Sequence, residues 1–505
     1  MRDLHPSDAQ AEAIPVDRMT AVTLERKIFP EATGPLPLCV DLDGTLTPAD
    51  TLMESLIALR SIAQLARALL ALPFTGRAAF KARIAANTAL DVSLLPYNLS
   101  LLRYLEAQKR SGRHLTLATA ADRAIANAVA GHIGLFDEII ASDGTCNLKG
   151  RTKAAALRLR FGNEGFSYAG NDASDVAIWE ASGGAILVNT PPGLARRVGR
   201  TIPVEETFPH RAAPWSALLR AMRPHQWVKS LLVFIPIFTA HALGDIAAWI
   251  NAMLVFAAFC ATASSIYLVN DAADIAADRR HPRKRHRPFA SGALPLATGL
   301  TMAGFLAVLG AGLAAASGTL AVIATYAALS VAYSLKLKQM PLVDVFLLGA
   351  LYTIRLFGGG VATGHDLSLW LLAFSGFLFL GLALLKRVAE LGATQQSSGQ
   401  SGGRRGYMAG DLPVLQMLGC AASFASSMVL ALFVQREATA AQYASPGLLW
   451  GIVPVMLFWQ CRLWLSTARG YMHDDPIIYS ARDWVSWIVG GTVLLLLLLA
   501  YSLPL

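Results

Sequence analysis

Asn270, Asp271, Asp274 and Asp278 follow one another at steps of one, three and four residues, directly after the nearly uncharged run LVFAAFCATASSI. On a helix such steps keep all four within about 100° of arc, facing one volume. Ala272, Ala273, Ala276 and Ala277 lie between them and neutralise nothing. The acids must therefore splay into water or share a cation. Oxygen-only donors favour magnesium, which commonly bridges protein carboxylates to a substrate's phosphates. Arg279, Arg280, Arg283, Lys284, Arg285 and Arg287 come next. Beside a metal, Arg285 and Arg287 would grip phosphate oxygens, which arginine does bidentately. The plainer alternatives are a solvated helix end paired with these bases, a topology signal, or contact with anionic lipid.

Other charges stand near apolar runs. In YSLKLKQMPLVDVFLLGALYTIRLFGGG, Lys336 and Lys338 precede Asp344, and Arg355 lies almost a whole number of turns beyond it. Asp344 and Arg355 share a helix face, and an arginine there must turn to the bundle interior or to water. A structural ion pair between them is the alternative. Lys229 in RPHQWVKS, Lys386 in KRVAEL, and Asp474 and Asp475 in HDDPIIYSARD complete this set. A Ser/Gly-rich loop with Arg404, Arg405 and Tyr407 reads as a substrate cover or a plain connector.

A second constellation precedes these. LCVDLDGTL is a short apolar strand ending in Asp41 and Asp43. HLTLATAA carries Thr119, NLKGRTKAAAL carries Lys153, and FSYAGNDASDVAIW carries Asn171, Asp172 and Asp175. Each polar group ends a strand or opens a helix, as at the carboxyl edge of an open parallel sheet. A carboxylate attacks phosphorus only if cations mask the repulsion between anions.

The elements that must hold these groups differ between the two parts of the chain. Of 505 residues 54% are apolar and 15% charged, and the shortage of charge lies beyond about Arg223. Nine spans are predicted there: about 228–243, 247–269, 294–315, 318–335, 342–361, 368–385, 412–434, 447–465 and 484–503. Lys and Arg concentrate in every second loop, while the opposite loops hold Arg436 and little else. That alternation predicts a bacterial-type inner-membrane protein with its N-terminal domain and basic loops in the cytoplasm and its C-terminus outside. The net charge of +9 follows the same loops, which argues against nucleic acid. Five scattered cysteines form no paired framework, and MRDLHPSDAQAEAIP lacks the apolar core of a cleavable signal. The expected organisation is an extension at 1–34, an α/β domain at 35–204 with a helical cap at about 52–98, a linker at 205–224, and an all-α polytopic bundle at 225–505.

The membrane half resembles the UbiA superfamily of intramembrane prenyltransferases over about residues 218–505. RPHQWVKS, YLVNDAADIAADRRHPRKRHRPFASG, YSLKLKQMPLVDV, KRVAEL and HDDPIIYSARD carry the likeness, which is nearest the decaprenyl-phosphate phosphoribosyltransferase-like branch. The resemblance implies a nine-helix bundle with magnesium and a diphosphate held at Asn270, Asp271, Asp274 and Asp278. Users of prenyl diphosphates carry a second pair of aspartates four apart; here Leu348 stands four residues after Asp344. That departure favours phosphoribosyl diphosphate as donor and a polyprenyl phosphate as acceptor, with Lys229, Lys336, Asp344, Arg355 and Lys386 at the substrate. Prenyl transfer to an aromatic or other small acceptor, and a non-catalytic anchor or transporter, are the rival readings.

Residues 35–200 resemble the haloacid dehalogenase superfamily. The likeness implies Asp41 as nucleophile, Asp43 as general acid/base, and Thr119 and Lys153 on the phosphoryl group. Asn171 stands where that family presents an aspartate, so magnesium would be shared by Asp41 and Asp43 with Asn171 or Asp172. Joining the two readings gives, as an inference beyond the likenesses, a transferase fused to a phosphatase that removes the 5-phosphate from its lipid-linked product; a different phosphorylated lipid or sugar is the alternative substrate.

Overall fold

The computed structural model describes residues 35–59, 76–88, 90–162, 165–209, 214–397, 406–435, 443–472 and 475–502. Asp474, Arg404, Arg405 and Arg436 lie outside them, as does most of the apolar stretch within the expected cap. The chain divides into two units, one running to Ala217 and including Ala272–Ala297, the other made of Leu218–Asp271 and Thr298–Leu505.

The first unit is built on six parallel strands: β1 (Leu38–Val40), β2 (Leu115–Asp122), β3 (Glu138–Ser142), β4 (Ser167–Gly170), β5 (Gly184–Val188) and β6 (Val204–Phe208). Their order in the sheet is β3-β2-β1-β4-β5-β6. Alternation sends Leu38, Val40, Leu117 and Ile186 into one apolar layer and Cys39, Ala118, Tyr168 and Leu187 into the other. With both faces covered, β1 is buried at every residue, as interior parallel strands are. Asn98 starts helix Leu99–Arg110 by accepting the Ser100 and Leu101 amides, and Gly134 ends helix Arg123–Ile133 at φ +71°. Helices Thr51–Ile57 and 76–87 and the turn Val92–Leu94 occupy the described parts of the expected cap.

Two boundaries differ from expectation. Residues 205–208 continue the sheet as β6 rather than opening a linker, since β5 offers them a parallel partner. Residues 272–297, assigned from sequence to the bundle, belong to the first unit. There the Arg279 guanidinium donates to both oxygens of Glu54 at 2.8 and 2.6 Å, with both side chains nearly sealed from solvent. A buried arginine needs such a carboxylate.

The second unit holds most of the apolar helices. Seven helices are long and apolar enough to cross a membrane: Ile246–Ala273, Leu296–Ala316, Val343–Thr363, Leu369–Gly392, Leu412–Val434, Pro446–Ala468 and Trp484–Ser502. This corrects the expected nine among the described residues. The first expected span breaks into a 3-10 stretch, Pro224–Phe234, and the short helix Ile235–Thr239, with Pro236 unable to donate an amide. The fourth is the apolar helix Leu320–Leu335, only 16 residues long. At about 1.5 Å per residue such a helix reaches only ~24 Å, against roughly 30 Å of hydrocarbon. The aspartate motif also departs from one continuous helix. Helix Ile246–Ala273 stops at Asp274, where φ is −90° and ψ is 6°, and Ile275–Arg280 begins anew.

Gly359 shows how tightly this unit packs. A Cβ on it would sit 2.2 Å from the backbone oxygen of Val233, an approach that no side-chain rotation relieves. Gly359→Ala is expected to destabilise the unit by about 1–3 kcal/mol through overpacking. Gly376→Ala, with nothing within 4 Å of the added carbon, serves as control. Thermal melting of the two purified variants in detergent checks the difference.

Candidate active sites

In the first unit the order of strands reverses beside β1, whose neighbours are β2 and β4. Ligands of open parallel sheets bind at that crevice, beyond the carboxyl ends of the strands. A cavity of about 460 Å³ lies there, lined among others by Asp41, Asp43, Lys153, Asn171 and Asp175. Asp41 follows β1 and Asn171 follows β4, so chain direction alone delivers both to this edge.

The Lys153 ammonium donates to Asp41 Oδ1 at 2.9 Å and to the Tyr168 hydroxyl at 2.9 Å; that hydroxyl donates to Asp175 Oδ1 at 3.1 Å. Asp175 Oδ2 accepts the amides of Asn171 and Asp172. Asn171 Oδ1 accepts the Thr45 hydroxyl at 3.3 Å. Its side chain lies over Gly44, at φ +80°, where a Cβ would come 2.2 Å from Asn171 Nδ2. Asp43 accepts the Thr51 amide at 2.9 Å. Burial first, then repulsion from Asp50 and Asp41, lifts its carboxyl to about 7 against the pull of the Thr51 bond. Burial and the charge of Asp41 likewise push Asp175 upward.

Not every expected residue arrives at the cavity. Thr119 is fully buried, and its hydroxyl accepts the Ala121 amide; Ala120, Ala121 and Asp122 line the wall instead. Asp172 does reach the cavity, where it is exposed and caps the next turn through Ser174, while Asp175 is the buried acid of that loop. Lys81, which sequence reasoning passed over, also lines the cavity and donates to the Ala120 carbonyl and Asn147. Burial draws its ammonium below the ordinary lysine range. Its only signal was a position in an alanine-rich helix of the cap.

The donor chemistry suits a hard divalent ion: Asp41, Asp43 and Asn171 offer only oxygens, and the acids outnumber the lysines around them. Among the described residues no three acidic, histidine or cysteine groups already form a metal cage. Magnesium characteristically needs only one or two protein carboxylates and keeps waters or substrate oxygens besides.

The membrane motif is placed as follows. Asn270 Nδ2 donates to the Ser334 hydroxyl at 2.8 Å. Asp271 accepts from Arg223 at 2.6 Å, and Arg223 lies 4.9 Å above the Tyr267 ring. Asp278 accepts from Arg287 at 2.8 Å, while Asp274 is exposed at the helix break. Arg285 is exposed beside His286, and Lys336 is exposed at the end of helix Leu320–Leu335.

Asp344 and Arg355 do not pair. Asp344 is fully buried against Arg387 at 2.7 Å and the Tyr407 hydroxyl at 2.5 Å. Arg355 donates to the Leu351 carbonyl and the Tyr326 hydroxyl, with its guanidinium over the Tyr326 and Phe259 rings. Lys229 and Lys386 instead converge on Asp475, at 2.7 and 2.9 Å. Burial alone would raise the Asp475 carboxyl, but the two lysines hold it well below the usual carboxylate range. Sequence spacing could not reveal this meeting, because the partners come from three distant segments.

The fold and sites thus define a doubly wound α/β unit joined to a polytopic helical bundle. Residues 231–470 match the UbiA prenyltransferase family. Over 472 residues the chain is 36% identical to protein y4nM of Sinorhizobium fredii, covering 91% of this chain and 90% of that one. Over 180 residues it is 41% identical to the decaprenyl-phosphate phosphoribosyltransferase of Corynebacterium glutamicum, covering 34% of this chain and 54% of that protein. A solved UbiA homolog from Archaeoglobus fulgidus, bound to GPP and Mg2+, aligns with a TM-score of 0.43 and 14% identity over 56% of this chain and 99% of that one. The chain belongs to the UbiA prenyltransferase family, and its membrane part is a transferase of that type.

Proposed function

We propose that this transferase moves a phosphoribosyl or related group from a diphosphate donor to a polyprenyl phosphate, and that the sheet unit then removes the 5-phosphate. The observation that carries the first half is the state of Asp344. Leu348 stands where a second aspartate would be, and Asp344 itself is committed to Arg387 and Tyr407. The helix Val343–Thr363 therefore lacks the second free carboxylate pair that a prenyl-diphosphate donor would call for, which supports a different donor. An apolar groove of about 700 Å³, lined by Leu329, Phe346, Phe357, Phe377 and Leu380, suits an isoprenoid chain.

Asn270, Asp271, Asp274 and Asp278 would hold the magnesium, and their oxygen-only chemistry fits it. The ion would neutralise charge developing on the departing diphosphate. As the bond from ribose C1 to diphosphate breaks, an oxygen of the lipid phosphate forms the new bond to C1. The acceptor is already an anion, so no strong base is needed, and positioning supplies much of the rate. Lys229, Lys386 and Arg355 offer positive charge to these phosphates. With basic loops facing the cytoplasm, the sugar donor would enter from that side.

In the sheet unit Asp41 would attack the 5-phosphate while Asp43, with its carboxyl near 7, donates a proton to the departing ribose oxygen. Lys153 would hold the phosphoryl oxygens, and water would then release phosphate from Asp41. Mass spectrometry of products made from a polyprenyl phosphate and phosphoribosyl diphosphate with magnesium tests both halves. The expected product is the lipid phosphate carrying an unphosphorylated pentose. Absence of any pentose adduct would overturn the transferase proposal, and a retained 5-phosphate would overturn the hydrolase proposal alone.

A further inference from the structure

Two lysines of the second unit share one carboxylate, and an arginine acts electrostatically on one of them. Lys229 comes from the stretch Pro224–Phe234, Lys386 from helix Leu369–Ser397, and Arg355 from Val343–Thr363. Asp475 is the acid that Lys229 and Lys386 both reach. Two ammonium groups brought to one point repel, so this arrangement needs a fixed anion to exist.

Asp475 is fixed thoroughly. Oδ1 accepts the Ile477 amide at 3.2 Å as the cap of helix Pro476–Arg482. The Tyr352 hydroxyl donates to Oδ2 at 3.1 Å, beside the two lysines. With its oxygens so engaged, this carboxylate is poorly placed to act as a base or to take a metal. Each ammonium has three donors and spends one on Asp475, leaving protons for a ligand. Arg355 interacts electrostatically with Lys229, and among the described residues no carboxylate pairs with it. Its Nε is buried without a partner although the residue is only 5% exposed. Among the described residues Glu390 also acts on Lys386 but is itself held by Arg387, so Lys229, Lys386 and Arg355 with its orphaned donor still leave buried positive charge in excess. Such an excess calls for an anionic ligand.

We infer that Lys229 and Lys386 form a phosphate seat to which Arg355 adds positive charge, and that Asp475 is the positioning residue that pins the two lysines in it. This rests on the transferase reading above and extends it to a residue that neither the aspartate motif nor the missing second pair pointed to. The ligand chemistry is a phosphate group, which either the diphosphate donor or the lipid phosphate could present.

Binding is measured by calorimetry on the full chain in detergent, with magnesium removed by chelation. One arm uses inorganic diphosphate and the other a short-chain polyprenyl phosphate. Asp475→Asn is expected to weaken at least one of these ligands about ten-fold or more, because the unpinned ammoniums separate. The arm that weakens identifies the occupant. Lys386→Met, a substitution at a half-buried position, is expected to weaken the same arm. Adding Asp475→Asn to Lys386→Met should cost less than it does alone, since the pin then has one lysine fewer to hold. A folded Asp475→Asn protein that binds both ligands as wild type would overturn the inference. Should that variant fail to fold, unchanged binding of both ligands by Lys386→Met would overturn it equally. Because no metal is present, either result leaves the test of magnesium-dependent transfer untouched.

Discussion

Asp41→Asn is expected to lower phosphate release by the sheet unit at least about a thousand-fold while leaving the proposed pentose transfer to lipid intact. Asparagine keeps the shape of the side chain and its acceptor for the Leu42 amide but removes the attacking oxygen's charge. The fold should tolerate it. Lys153 retains the Tyr168 hydroxyl, and Asp175, linked to that hydroxyl, remains to balance the lysine. Removing one of several crowded acids also relieves repulsion at Asp43 and Asp175, both of which Asp41 pushes upward. The measurement is phosphate release from a phosphorylated pentose alongside transfer to lipid, each in the full chain. Unchanged phosphate release would sink the assignment of Asp41 as nucleophile.

Asp274→Asn is expected to reduce diphosphate release by about a hundred-fold or more, with a change in stability of only about 0.5 kcal/mol. The contrast between those magnitudes comes from where the residue stands. Asp271 and Asp278 are buried in arginine pairs, so replacing either would also strand a cation. Asp274 is exposed at the break between two helices, where a carboxylate does little for the fold. Its loss should therefore report on chemistry. Diphosphate release from phosphoribosyl diphosphate, followed with magnesium and a polyprenyl phosphate, gives the rate, and melting in detergent gives the stability. A variant as fast as wild type would remove Asp274 from the catalytic set.

Much of this was legible in the residues. Asp41, Lys153 and Asn171 meet because each stands at the carboxyl end of a parallel strand or opens a nearby helix, and that placement is local. The choice of Asp175 over Asp172 was less accessible. Both acids follow the same strand, and only the tight turn Ala173–Asp175 decides which one caps and which one points inward. Long apolar runs announced the membrane part, yet the count of spans failed at Pro236 and at Leu320–Leu335. Hydropathy averages over a window and does not register where a helix breaks or ends short.

Local order along the chain thus determined the strand-end chemistry of the first unit, the apolar character of the second and the spacing of the aspartate motif. Tertiary structure decided the pairing of charges. Asp344 took Arg387 rather than Arg355, Glu54 took Arg279, and Asp475 gathered two lysines from remote segments. A buried charge takes whichever opposite charge packing brings within reach, and separation along the sequence does not measure that distance.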